Sequence, residues 1–433
     1  MKPVNTMTKI QPPVAVIVLL ALLMPAAMLS AQQPIANYDE SKIPPYSLPD
    51  PLMMRDGKKV ISAEQWNKIQ RPYIYHLFEE NVYGRFPAKS INISFTTDAI
   101  DSNALKGIAI RKMVRIFFNR KTDTTNSLSL LIYLPKKSVK PVPVFLGLNF
   151  YGNQSVSNES DIPYSDKYRI EGTGIVHHHA TEASRGSHAH QWQLKEILSH
   201  GYGVASFFCG DIEEDNEDGW KTGVRNHLKD QLNIQPEEWS AIGVWAWGLC
   251  RAMDYLQQDK SINAKKVALI GHSRMGKAAL WAAASDKRFA IVISNESGEG
   301  GAALSKRWYG ETVTIINQNF PHWFVANYKK YNDNTAALPV DQHMLLSLIA
   351  PRPLYIASAM GDQWSDPKGE FLSAFNAGPV YALFNKKGIA QPAMPPLNKP
   401  VGNTIRYHIR DGKHDVLAYD WQQYLAFADE QWR

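Results

Sequence analysis

The stretch Val267-Ala-Leu-Ile-Gly-His-Ser-Arg-Met-Gly-Lys277 decides the fold. A short apolar, β-favouring run ends at Gly271, and a serine stands two residues later. Ala278-Ala-Leu-Trp-Ala-Ala283 then continues without a breaker, as a helix would. Strand, tight turn with serine, then helix is the layout of a nucleophile elbow. Such a turn lifts the Ser273 hydroxyl clear of the sheet and aims the next backbone N–H, that of Arg274, at the same spot. One turn thus supplies a nucleophile and half of an oxyanion hole. The usual pattern is G-x-S-x-G, but here Gly276 comes one residue late and Arg274 follows the serine.

Outward from the elbow, strands alternate with helices. Residues 66–83 have helical spacing, and 91–96, 108–118, 128–134 and 143–149 read as strands. Residues 155–187 are polar and rich in Gly, Ser and His, as a long loop or insertion would be. Strands follow at 203–208, 266–270, 290–293, 354–358 and 404–409, with helices between them and a last helix at 421–431. This predicts an α/β protein of the α/β-hydrolase fold: a mostly parallel central sheet, helices on both faces, and loop insertions around the cleft. Such sheets place ligands at the C-terminal ends of their strands.

The N-terminus has a different character. Lys2 and Lys9 precede an apolar stretch and then small residues up to Ala31, the pattern of a secretory signal peptide. Residues 1–31 are therefore expected to be removed. Residues 32–433 would form a single catalytic domain whose proline-rich start wraps the surface. An exported protein, periplasmic or secreted, follows, with no stable membrane insertion after signal removal. The net charge of +6 falls to +4 without Lys2 and Lys9, and no dense basic run suggests nucleic acid. Twelve tryptophans and nineteen tyrosines provide aromatic surface of the kind carbohydrates contact. Cys209 and Cys250 could form one disulfide in an exported chain, or remain buried thiols.

A serine hydrolase of this fold needs a histidine after the last strand and a carboxylate to orient it. His414, in Arg410-Asp-Gly-Lys-His-Asp415, occupies that place. Two carboxylates compete for the third role. Asp362 follows the strand at 354–358, the ordinary position of the acid, and Glu296 follows the strand after the nucleophile. Topology leaves both open. Asn149-Phe-Tyr-Gly-Asn153 is placed either to supply the second oxyanion donor or simply to turn the chain. His177, His178 and His179 do not make a metal motif, and the acidic run 211–218 reads as a charged rim rather than a calcium loop.

These residues resemble the glucuronoyl esterases, also called 4-O-methyl-glucuronoyl methylesterases (carbohydrate esterase family fifteen). The resemblance covers most of the chain beyond the signal peptide. It is strongest in Trp245-Ala-Trp-Gly-Leu-Cys-Arg-Ala-Met-Asp-Tyr255, Gly271-His-Ser-Arg-Met-Gly-Lys277, Ser294-Asn-Glu-Ser-Gly298, Leu338-Pro-Val-Asp-Gln-His343 and Ala350-Pro-Arg-Pro353. The signature G-x-S-R-x-G-K accounts for the displaced glycine. His272, where fungal members usually have cysteine, makes the match closer to bacterial members.

The resemblance implies roles. Ser273 is the nucleophile, His414 the base, Glu296 the acid, and Asp362 the alternative acid of some bacterial members. The motif around Glu296 favours that residue of the two. Arg274 supports the oxyanion, while Lys277, Glu311, Trp364 and Gln318 contact the sugar. The implied substrate is an ester of glucuronic acid, as in lignin–glucuronoxylan linkages, cleaved by a monomer with no cofactor and no metal. The competing readings are an acetyl esterase or peptidase on the same fold, and a non-catalytic carbohydrate-binding relative.

Overall fold

Every second residue of the central strands faces the same side, and both sides are buried. Val144, Leu146 and Leu148 enter one core together with Val267, Leu269, Leu354 and Ile356. Phe145, Ala268, Ile270, Tyr355 and Ala357 enter the other. A sheet that is apolar on both faces needs helices on both, which favours parallel pairing through helical crossovers. The computed structural model describes Met1, Pro3, residues 35–119 and residues 124–432. Apart from Met1 and Pro3, the expected signal peptide lies outside the described residues. Among them, no helix is long and apolar enough to cross a membrane.

Four strands come first: β1 (Ile93–Asn103), β2 (Ala109–Phe118), β3 (Ser127–Pro135) and β4 (Val142–Asn149). A two-residue hairpin, β5 (Ile175–Val176) and β6 (His179–Ala180), interrupts the long insertion. There follow β7 (Gly203–Phe208), β8 (Ile262–His272), β9 (Ile291–Asn295), β10 (Leu354–Ala359), β11 (Val401–Gly402) and β12 (Ile405–Arg410). Ten strands form one sheet in the order β1-β2-β3-β7-β4-β8-β9-β10-β12-β11. From β7 through β12 each pairing is parallel, and the flanking pairs are antiparallel. The α/β-hydrolase expectation agrees with this sheet.

The helices Ala241–Leu256 and Arg274–Ser285 cover one face. Trp281 is stacked there between Tyr75 and Tyr83, with ring centroids 4.8 Å from each. Burying a side chain of this size contributes about 3 kcal/mol of transfer free energy. The helix Ala418–Trp432 covers the other face through Trp421, Tyr424 and Phe427.

Local departures from the expected elements have physical causes. The helix expected at 66–83 begins at Ala63, and its turns Trp66–Gln70 and Glu79–Tyr83 are π-helical. Pro72 cannot donate an amide hydrogen bond, and the turn before it widens. β8 starts at Ile262 rather than near residue 266, because Ile262 pairs with Val142 ahead of a register shift. Cys209 and Cys250 are both free and buried, so no bridge joins them. The chain divides at Ile35, and Ala36–Arg433 packs as a compact unit. Its first residues run along the catalytic edge. Asn37 bridges Gly310, and Glu40 pairs with Arg307 and Lys368.

Candidate active site

The parallel strands deliver their C-terminal ends to one edge, and four chemically distinctive side chains follow four of those ends. Ser273 comes directly after β8, Glu296 after β9, Asp362 after β10 and His414 after β12. Ser273 has φ 55° and ψ −132°, a strained conformation that places it at the apex of the turn. Its N–H donates to Asn295 O at 2.9 Å, which ties the turn to the end of β9. A Cβ on Gly271 would lie 2.1 Å from Met275 O, so the chain could not fold back with any other residue there. A Cβ on Gly276 would lie 2.8 Å from Ser297 Cβ, which explains the glycine one residue later than usual. The first N–H groups of the helix Arg274–Ser285 lack helical partners and form the positive end of its dipole.

His414 Nδ1 donates to Asp362 Oδ2 at 2.6 Å and lies 3.3 Å from Glu296 Oε2. With Nδ1 committed to the carboxylates, Nε2 is left as the basic nitrogen. The imidazole packs against His272, with centroids 4.4 Å apart. His272 is itself fixed by Asn295 Oδ1 at 2.6 Å. Burial, together with the neighbouring His414, brings the His272 pKa down to about 3, so this second ring is a neutral wall.

The two carboxylates differ in their other partners. Glu296 Oε1 accepts from Arg410 at 2.6 Å, and Oε2 accepts from the Asp415 N–H at 3.2 Å. Arg410 is held in turn by Asp420, at 2.8 and 3.0 Å from Nε. Burial pushes the Glu296 pKa up to about 8 against the pull of His414 and Arg410. Burial raises Asp362, but the hydrogen bond to His414, the charge of that ring and the bonds to Ser365 and Glu296 together hold it below its ordinary value. For His414, burial disfavours the cation, yet the bonds to Asp362 and Glu296 push its pKa up to about 9. Ligand atoms of these three residues lie within 4.8 Å of one another, a spacing a cation also accepts. The guanidinium of Arg410 already supplies positive charge to that cluster.

A base must be neutral to accept a proton, so kcat/KM is expected to rise with pH along a limb set above the ordinary histidine value. Asp362→Asn should move that limb to lower pH, because the partner that raises the His414 pKa is weakened. A pH–rate profile of both forms on a soluble aryl ester checks this. An unmoved limb in the variant would mean that Asp362 is not the source of the shift.

The expected sugar contacts divide into groups. Lys277 is buried, donates to Ser297 O at 2.6 Å, and lies 4.0 Å from Glu311 Oε2. Burial lowers the Lys277 pKa and pushes Glu311 up to about 7. Trp364 is 38 % exposed, and its backbone carbonyl accepts from the Glu311 N–H at 2.8 Å. Lys277, Glu311 and Trp364 thus adjoin, whereas Gln318 is exposed on the helix Val313–Asn319 and nothing in the structure ties it to them. Arg274 lies beside Phe150, with its guanidinium carbon 4.5 Å from the ring centroid.

The other polar segments have definite partners. The acidic run, expected as a charged rim, is in part turned inward: Glu213 is buried against Arg225 and Asp215 pairs with Arg274 at 2.6 Å, while Glu217 and Asp218 are exposed. Asn149 caps its own turn by accepting from the Gly152 N–H at 2.9 Å, so that N–H is already engaged. The adjacent histidines separate, with His178 bonded to Arg169 O at 2.9 Å and stacked on Tyr168. Sequence reasoning missed Arg410, Asp420, Phe150 and Trp323. Arg410 was visible as the first residue of the His414 loop, but its partner Glu296 is 114 positions away.

Known proteins resemble this chain over most of its length. A family model described as "Glucuronyl esterase, fungi" matches residues 194–385. A carbohydrate esterase from an unknown prokaryotic organism is 48% identical, covering 91% of each chain. The solved glucuronoyl esterase from Solibacter usitatus is 49% identical over 91% of this chain and 100% of its own, with a TM-score of 0.84. A structure described as a promiscuous CE15 esterase from a marine bacterial metagenome is 46% identical over 92% of this chain and 100% of its own, with a TM-score of 0.85. With that identity over almost the whole chain, the protein belongs to the glucuronoyl esterases of carbohydrate esterase family fifteen.

Proposed function

We propose that this protein is an exported serine carboxylic ester hydrolase. It cleaves esters of glucuronic acid or its 4-O-methyl ether, of the kind that join glucuronoxylan side chains to lignin. Residues 32–433 act as a single catalytic domain and as a monomer. The observation that carries this reading is the placement of the buried Lys277–Glu311 pair one helical turn from Ser273. An acetyl ester offers nothing for that pair to read. A glucuronoyl group presents vicinal hydroxyls to a donor and an acceptor, and a flat ring face to Trp364.

Ser273 Oγ attacks the carboxyl carbon while His414 Nε2 takes the hydroxyl proton. The tetrahedral oxyanion is met by the Arg274 backbone N–H and guanidinium. The intermediate collapses, the C–O bond to the alcohol breaks, and His414 returns the proton to the departing alkoxide oxygen. Water, deprotonated by His414, then attacks the Ser273 ester and releases glucuronate. Glu296 and Asp362 hold the imidazole and stabilise its cationic form in both steps. No cofactor enters this sequence.

Lys277→Ala and Glu311→Ala are each expected to lower kcat/KM for a benzyl glucuronate by roughly tenfold to a hundredfold. Both should leave a small aryl acetate within about twofold of the parent enzyme, because the sugar contacts are absent from that substrate. Equal losses on both esters would count against a substrate-reading role. The promiscuity named for the marine relative favours some acetyl esterase activity as a second reading, and the same assay measures it.

A further inference from the structure

The acidic segment that sequence reasoning left without a function lies directly behind the oxyanion site. Arg274 has a long side chain with many rotamers, and a guanidinium stabilises a transition state only as far as it is already aimed. Here it is confined on several sides. Phe150 lies 4.5 Å from its guanidinium carbon and Trp323 lies 5.7 Å away. The Nε edge meets Asp215 Oδ2 at 2.6 Å. Nε and Nη2 share that edge, and both are buried without a hydrogen bond among the described residues, whereas Nη1, on the other edge, is not among the buried unpartnered atoms and is left as the donor for a reacting oxygen.

Asp215 is fixed in its turn. Its Oδ1 accepts from Trp323 Nε1 at 2.7 Å and from His322 Nε2 at 2.9 Å. Trp323 therefore has two tasks, since its ring lies beside the guanidinium and its N–H orients the carboxylate. The loop that carries both donors is clamped by a helix start: Ala241 N donates to His322 O at 3.1 Å and Ile242 N to Trp323 O at 3.3 Å. Trp323 also stacks on Phe320, with centroids 3.7 Å apart. On the other side, Trp245 Nε1 donates to Glu213 O at 2.9 Å, two residues before Asp215. Arg274 and His322 hold the Asp215 carboxyl below its ordinary value despite burial, so it stays charged.

We propose that Asp215, held by Trp323 and His322, is the positioning residue that locks Arg274 by its Nε edge and aims the opposite edge at the oxyanion. This rests on the role given to Arg274 above. A carboxylate 2.6 Å from Nε anchors that edge by charge, without a hydrogen bond, and the flanking aromatics limit the tilt of the guanidinium plane. The ion pair has little to do in the ground state, where the ester oxygen carries no full charge. Its effect therefore belongs in kcat rather than KM.

The experiment is a cycle of Asp215→Asn, Arg274→Ala and the double variant, assayed on benzyl glucuronate with thermal melts alongside. Arg274→Ala is expected to lower kcat by roughly a hundredfold to a thousandfold. Asp215→Asn should lower kcat by roughly tenfold to a hundredfold and leave KM within about twofold. In the Arg274→Ala background, Asp215→Asn should change kcat by less than about twofold, because nothing remains to be aimed. Full, independent losses in the double variant would overturn the proposal, as would a loss confined to KM. An Arg274→Ala variant of normal rate would instead refute the role of Arg274 itself, a separate outcome. Trp323→Phe keeps a ring beside the guanidinium and removes only the N–H to Asp215. It should lower kcat by several-fold, and only while Arg274 is present. If Asp215→Asn does not fold, full activity in Trp323→Phe overturns the proposal.

Discussion

Ser273→Ala is expected to lower kcat on any ester substrate by roughly a millionfold, because triad members act as a unit and removing the nucleophile forfeits the whole covalent route. The fold should survive. Among the described residues no hydrogen bond reaches the Ser273 hydroxyl, so its removal leaves no buried partner unsatisfied. The backbone bonds of the turn, Ser273 N to Asn295 O and Gly276 N to Ser273 O, do not involve the side chain. The strain at φ 55° is the same for alanine as for serine. A melting curve that matches the parent, with turnover lost, is the expected pair of results. Near-parental turnover by the folded variant would remove Ser273 from the mechanism.

The second large effect concerns the two carboxylates. Asp362→Ala is expected to lower kcat by roughly a thousandfold or more, as loss of the triad acid does elsewhere. Asp362 has the 2.6 Å bond to His414 Nδ1, and its charge is not shared with an arginine. Glu296 shares its charge with Arg410 at 2.6 Å, which leaves less of it for a histidinium. Glu296→Ala should therefore cost less rate than Asp362→Ala. It should cost stability, since it strips one partner from a buried guanidinium. The double variant should fall below either single one by less than the product of the two losses, because both act on one imidazole. If Glu296→Ala alone matches the double variant and Asp362→Ala is nearly silent, the glutamate of the motif is the working acid. The measurement is kcat for all three on one glucuronate ester, with melting temperatures.

Much of this architecture is legible because the central strands are short, continuous apolar runs buried on both faces. β7 was read to the residue, since Gly203–Phe208 is buried throughout and bounded by polar turns. The elbow was legible because its glycines are imposed by local contacts, Gly271 against Met275 and Gly276 against Ser297. What stayed hidden depends on partners distant in the chain. Asp215 looks solvated inside an acidic run, yet it is paired with Arg274, 59 positions on. The sequence motif favours Glu296 over Asp362, and the reason to expect the reverse, the pairing of Glu296 with Arg410 and of Arg410 with Asp420, is invisible in it. The π-helical turns Trp66–Gln70 and Glu79–Tyr83 are also invisible in the sequence, because spacing of apolar residues does not register a shift in hydrogen-bond pattern.

The central claim is that the cleft cleaves glucuronate esters, and one comparison tests it most directly. The parent protein is given benzyl glucuronate and, separately, an aryl acetate and acetylated xylan, and acid and alcohol release are followed in each. The account predicts equimolar release of benzyl alcohol and glucuronate, with kcat/KM well above that for either acetyl substrate. Cleavage of the acetyl substrates with benzyl glucuronate left intact would contradict it.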